Sequence, residues 1–149
     1  MNDRIVEVTR DDLILSTDRA KLDLDAVLAM LHASHWGGSV TRQILERAVE
    51  NSVCVGVYHG AEQWAFARAV TDLATYAYLT DVIVAAKARG RGIGSWMIEA
   101  LLSHPDLQGL RRVTLLTRDA RRLYEKFGFS TKMPTSTYME MRPGPNRNA

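Results

Sequence analysis

The sequence predicts an α/β protein built on a mixed sheet, mostly antiparallel, with one parallel strand pair and flanking helices. Three observations predict it. From Val53 to Val84 the apolar pattern has the short period of strands. Turns at His59-Gly60-Ala61-Glu62 and Thr71-Asp72-Leu73-Ala74-Thr75 interrupt it, so three strands should form an antiparallel meander. Between Val84 and Val113 lies one helical segment, a crossover that makes the strands on either side parallel. Upstream, two stretches carry apolar residues at helical spacing.

In chain order, Met1 to Arg10 is polar and is expected to be partly loose. Leu13-Ile14-Leu15, within Asp11 to Ser16, predicts the first strand. Leu24 to Ser34 predicts a helix with Leu24, Val27, Leu28 and Leu31 on one side and Asp23 as its cap. His35-Trp36-Gly37-Gly38 breaks it. Ser39 or Thr41 can cap the next helix, whose Ile44, Leu45, Ala48 and Val49 should face inward and which ends near Asn51-Ser52. Val53–Tyr58, Trp64–Val70 and Tyr76–Val84 are the meander strands. A helix over Gly92 to Ser103 buries Ile93, Trp96, Met97, Ala100 and Leu101. Val113 to Thr117 is the parallel strand. Asp119 is placed to cap a helix from Ala120 to Phe127, and Gly128 to stop it. Phe129–Met133 and Thr137–Met141 predict short final strands.

A length of 149 residues suits one domain, expected over residues 1–142, with a tail at 143–149 of disordered composition. A net charge of +2 gives no global pull toward nucleic acid or membrane. Arginines crowd the second half, at Arg89, Arg91, Arg111, Arg112, Arg118, Arg121 and Arg122, which fits an anionic ligand as well as a solvated surface. Cys54 is the only cysteine, which excludes an intrachain disulfide and a Cys-rich metal site; in a strand of valines it reads as a small hydrophobe. His32 and His35 make no metal-ligand pattern with nearby carboxylates. No apolar run approaches membrane-spanning length and no signal-peptide core is present, so the expected location is cytoplasmic.

The chemistry lies between the third meander strand and the crossover helix, in Lys87-Ala88-Arg89-Gly90-Arg91-Gly92-Ile93-Gly94-Ser95. Glycines let a ligand approach the backbone, and the free amides of the helix's first turn, with Arg89 and Arg91, suit a polyphosphate. G-x-G-x-x-G fails, because it would need glycine at Ser95 or Met97, and the P-loop pattern is absent. A plain basic turn capping a helix, or a patch touching RNA, would share the composition. The stretch does match R-x-x-G-x-G as Arg89, Gly92 and Gly94, and Leu123-Tyr124-Glu125-Lys126-Phe127-Gly128-Phe129 matches L-Y-x-x-x-G-F. On these two motifs, in this order, the chain resembles the GCN5-related N-acetyltransferases (GNAT), over roughly Asp81 to Phe129.

The resemblance implies acetyl-CoA as cosubstrate, with its pyrophosphate on Arg89, Gly90, Arg91, Gly92, Ile93, Gly94 and Ser95. It also implies that the strand ending at Val84 and the next parallel strand splay apart, with the pantetheine arm pairing to backbone near Ile83 and Val84. Many members have Asn where this chain has Arg118, so Arg118 and Asp119 stand as its substitutes at the cofactor. Ala86 replaces a common proline.

Acetyl transfer needs a neutral amine, a donor for the developing oxyanion and a proton for the departing thiolate. The resemblance puts the oxyanion donor at a backbone N–H near Ile83. Tyr124 is the candidate acid: a phenol of pKa about 10 can protonate a thiolate of about 8.5. Packing beside Leu123 and Phe127 is the alternative for it. Asp81 is the candidate base or amine anchor, and a salt bridge to a nearby arginine is its alternative. Asp72 and Glu99 are weaker rivals, since Asp is common in turns for structural reasons alone. Trp36, Tyr76 and Asp72 are the acceptor-side candidates, with His35 and Tyr78 behind them; Trp36 sits between the first two helices, which line the acceptor side in relatives. The reaction expected is direct transfer of acetyl to a primary amine of a small molecule, without a metal. A protein or peptide acceptor, or a CoA-binding sensor without turnover, are the competing functions, and by analogy the chain could form a homodimer.

Overall fold

The computed structural model describes residues 4–34, 37–131 and 138–143. The chain divides into two compact units, one ending at Leu116 and one beginning at Thr117.

The first unit holds a six-stranded sheet in the order β1 (Glu7–Arg10), β2 (Leu13–Ser16), β3 (Ser52–His59), β4 (Glu62–Thr71), β5 (Tyr76–Val84) and β6 (Arg112–Leu115). Neighbours are antiparallel except β5 and β6, which are parallel. The expected meander and crossover are therefore present. β1 is the surprise. Glu7-Val8-Thr9-Arg10 pairs with β2 across a turn at Asp11, whose φ is +53°. All four residues are exposed, so the strand sits at the sheet edge and leaves no apolar signature in the sequence.

Two helices cover one face: α1 (Leu24–Ala33) and α2 (Arg42–Glu50). The side chain of Asp23 accepts from Ala26 N and that of Thr41 from Ile44 N, as capping residues do. Val27, Leu31, Leu45 and Val49 meet Cys54 of β3, Phe66 of β4 and Ile83 of β5 in one buried cluster. Burying each large apolar side chain contributes about 1.5–3 kcal/mol. Ile44 corrects the sequence reading: it is 57 % exposed, because Leu45 and Val49 hold the inward line and Ile44 lies off it. Residues 65, 67 and 69 of β4 alternate with Phe66 and point to the opposite face. All three are alanines, and α3 (Ile93–Leu102) packs there across β3, β4 and β5 with Trp96, Met97 and Leu101 buried.

The second unit contains α4 (Arg121–Glu125), shorter than the expected Ala120–Phe127. Its N-cap is Ala120, not Asp119, and no side chain caps it; Ala120 N donates instead to Thr117 Oγ1. Gly128, at φ +95°, ends the turn as expected. No strand forms at Phe129–Thr131 or Tyr138–Met141, against expectation; residues 132–137 and the tail at 144–149 lie outside the described residues.

Candidate active site

The parallel ladder is short. Its rungs are Tyr76–Arg112, Ala77–Val113, Tyr78–Thr114 and Leu79–Leu115, and there it ends. β5 continues through Thr80 to Val84 paired to β4 but, on its β6 side, with no strand of the sheet beside it among the described residues. The cause is visible on β5 itself. Phe66 pairs with Ile83 and Arg68 with Thr80, so Ala67 alone faces both Asp81 and Val82. Asp81 takes up this extra residue at φ +54°, a left-handed conformation that costs a non-glycine residue about 1 kcal/mol or more. A bulge bends and twists its strand, and here it lies just past the last rung.

Beyond the bulge the backbone direction can be read. Ala85 N donates to Trp64 O at 2.8 Å. Groups of an antiparallel strand alternate, so Ile83, two residues back, also turns its N–H toward β4, and Val84 turns its own away. Of the two backbone positions expected to meet a pantetheine arm, Val84 is the one directed at the gap.

The glycine loop follows directly. Ala86–Ala88 forms a single 3-10 turn, Gly90 and Gly92 adopt φ of +84° and +72°, and Gly92 is the N-cap of α3. No side chain caps this helix. The amides of Ile93, Gly94 and Ser95 precede its first internal bond, which Trp96 N makes to Gly92 O at 3.1 Å. A Cβ placed on Gly90, Gly92 or Gly94 would meet no atom within 4 Å, so the loop and the start of α3 border open space at these glycines. Arg89 is exposed, with no ion-pair partner among the described residues. The residues fit a diphosphate: donors without acceptors, open space at the neighbouring glycines and an unpaired cation alongside. Arg91 is differently engaged. Its guanidinium binds Asp12 at 2.7 Å and lies 5.4 Å from the Trp64 ring centre, with His59 stacked on that ring at 4.5 Å.

Asp81 and Arg68 form a half-buried ion pair, Nε to Oδ2 at 2.6 Å, with only 15 % and 17 % of the side chains exposed. The salt bridge weighed for Asp81 is thus present. Arg68 escaped the sequence reading, although a signal existed: an arginine between buried alanines in a strand must find a partner. Asp72 spends its oxygens in its own turn. Oδ1 accepts from the amides of Ala74, Thr75 and Tyr76, and Oδ2 from Thr75 Oγ1, which holds its carboxyl well below the usual range, the Thr75 hydroxyl contributing most. Tyr76 is 41 % exposed and shares a hydrogen bond with Thr114 Oγ1. His35 and Trp36 lie outside the described residues.

In the second unit, Tyr124 is buried and meets the edge of Phe129 at 5.9 Å. Burial raises its phenol above the ordinary value, so it stays protonated at neutral pH. Arg118 and Asp119 are exposed. Among the described residues no cluster of His, Cys, Asp and Glu could hold a metal, and no helix is long and apolar enough to cross a membrane.

A sequence model of the acetyltransferase (GNAT) domain matches residues 50–131, which span β3 to Thr131 and both motifs. The chain belongs to the GNAT family. A Gibberella zeae protein assigned as an acetyltransferase is 36 % identical over 141 residues, covering 79 % of this chain and 78 % of its own. The crystal structure of a Xanthomonas campestris pv. campestris protein assigned to the GNAT family superposes with a TM-score of 0.86 at 35 % identity, covering 95 % of this chain and all of the other. A Clostridium acetobutylicum protein assigned as an acetyltransferase and solved with acetyl-CoA gives a TM-score of 0.62 at 14 % identity, over 93 % of this chain and 96 % of its own; that likeness speaks for the fold alone. GNAT membership makes the chain an acyltransferase by family, with acetyl-CoA as the family's donor.

Proposed function

We propose that this protein transfers acetyl from acetyl-CoA to a primary amine of a small molecule in the cytoplasm, by direct attack. The observation that carries the reading is the uncapped first turn of α3, with open space at its glycines, following a stretch of β5 that is unpaired on its β6 side. Backbone amides at residues 90–95 and Arg89 bind the diphosphate, and Val84 anchors the arm by its backbone. Acetyl-CoA supplies an activated carbonyl on a good leaving group.

The amine enters from the face of α1 and α2. Asp81, on that face, attracts it as the ammonium and takes its proton, directly or through water. The amine nitrogen bonds to the acyl carbon, the carbon–sulfur bond breaks, and Tyr124 gives its proton to the thiolate. Solvent returns a proton to Tyr124 and removes one from Asp81. Tyr124 suits this role because burial keeps its phenol protonated at neutral pH, so a proton is at hand when the thiolate departs.

Free-thiol release from acetyl-CoA with a panel of amines and peptides tests the reading. Release with small primary amines is the expected result. Turnover with peptides alone would replace the acceptor class, and CoA binding without release for any acceptor would leave a sensor.

A further inference from the structure

Four residues form a hydrogen-bonded chain under the acceptor face. Ser52, the buried first residue of β3, donates through Oγ to Ala48 O in α2 at 2.7 Å. Arg68 Nη1 donates to the same Oγ at 3.1 Å, and Arg68 Nε donates to Asp81 Oδ2 at 2.6 Å. The chain therefore runs from the last turn of α2 across β3 and β4 to the bulge on β5. Arg68 pairs with Cys54 on one side and Thr80 on the other, and lies two residues from Phe66, so its side chain belongs to the face carrying α1 and α2. Oδ1 of Asp81 has no hydrogen-bond partner among the described residues.

We propose that Arg68 is the positioning residue for the acceptor amine: it fixes one oxygen of Asp81 so that the other is presented, in a single orientation, to an incoming ammonium. The inference rests on the acetyl-transfer reading. Its physical content is geometric. A carboxylate on a left-handed residue of a bulge has a rotamer of its own to settle, and a charge-assisted bond from a half-buried guanidinium settles it. The guanidinium is in turn held by Ser52, whose hydroxyl is tied to the end of α2. Arg68 makes no contact with the reacting atoms in this scheme; it acts through Asp81. Lysine can restore the charge but not the planar fork that reaches Asp81 and Ser52 together.

The test compares wild type, Arg68→Gln, Arg68→Lys, Asp81→Asn and the Arg68→Gln/Asp81→Asn double variant. Steady-state kinetics with the best amine of the panel supply the main readout. Calorimetric CoA binding and thermal melting report folding. Arg68→Gln is expected to raise the acceptor KM about tenfold while the acetyl-CoA KM stays within twofold. Arg68→Lys should recover part of that loss, and the double variant should be no worse than Asp81→Asn alone. A wild-type acceptor KM in Arg68→Gln would overturn the proposal. So would a double variant whose loss is the product of the two single losses, or a fall in stability with no selective effect on the acceptor. Should Arg68→Gln fail to fold, Arg68→Lys decides: an unchanged acceptor KM in it overturns the assignment. Absence of amine-dependent thiol release in wild type that binds CoA would overturn the transfer reading itself, and the positioning role with it.

Discussion

Leu79 and Leu115 form the last rung of the parallel ladder, and two residues later Asp81 bends β5 at a bulge. Strand, bulge, gap and glycine loop thus follow one another within a single continuous stretch of chain. The gap needs no separate element to open it; one extra residue in β5 marks where β6 is left behind.

Gly94→Leu separates ligand space from helix stability. The site of its Cβ is open, and leucine is about 0.5–1 kcal/mol better than glycine inside a helix, so melting should hold or rise. CoA binding by calorimetry should fall tenfold or more, the equivalent of one lost charge-assisted hydrogen bond of about 1.5–3 kcal/mol. Wild-type affinity in this variant would remove the first turn of α3 from the binding site.

Tyr124→Phe should lower kcat about 10²-fold, the lower range for loss of a general acid, and leave the acetyl-CoA KM within twofold. Because burial raises the phenol, any loss of wild-type activity through its ionisation should come above pH about 10. A fall between pH 8 and 9 that disappears in Tyr124→Phe would contradict that assignment.

Asp81→Asn should lower kcat/KM for the acceptor at least about tenfold, since asparagine neither takes a proton nor attracts an ammonium. It should also leave Arg68 without its anionic partner in a half-buried position, so melting should drop. A wild-type kcat/KM for the acceptor in steady-state kinetics would exclude Asp81 as the proton acceptor.

Asp72→Ala should destabilise the β4–β5 turn without touching CoA binding. The folded-state pKa is depressed, so the carboxylate's contribution is fully present above the unfolded value, about 3.9, and disappears as pH falls below it. The melting gap between wild type and Asp72→Ala should therefore be constant near neutrality and narrow below pH 4. A gap that persists unchanged at pH 3 would show that the turn does not depend on the ionised form.

The sheet was legible because β3 to β5 are rich in β-branched and aromatic residues and because Gly60 and Asp72 sit where turns require them. β1 was not, since an edge strand with every side chain exposed has nothing to alternate. The α4 cap was misassigned to Asp119 because a carboxylate near a helix start is a statistical signal; here the Thr117 hydroxyl takes the amide instead. At the site, glycine spacing revealed the loop, since the backbone conformation itself demands those residues. The Arg68–Asp81 pair was half visible. Its acid stood beside a motif, whereas its base lay thirteen residues away along the chain and met it only through strand pairing. Ile83 and Val84 could be named together from sequence but not told apart, because the direction of an amide depends on register.

A stretch of β5 paired on one side only is also a colloidal hazard. Thr80 to Val84 offer main-chain donors and acceptors of the kind to which a foreign extended segment adds. A coenzyme arm lying in that gap, as proposed above, would double as a plug against self-association, so preparations saturated with coenzyme should stay clear at concentrations where bare ones turn cloudy.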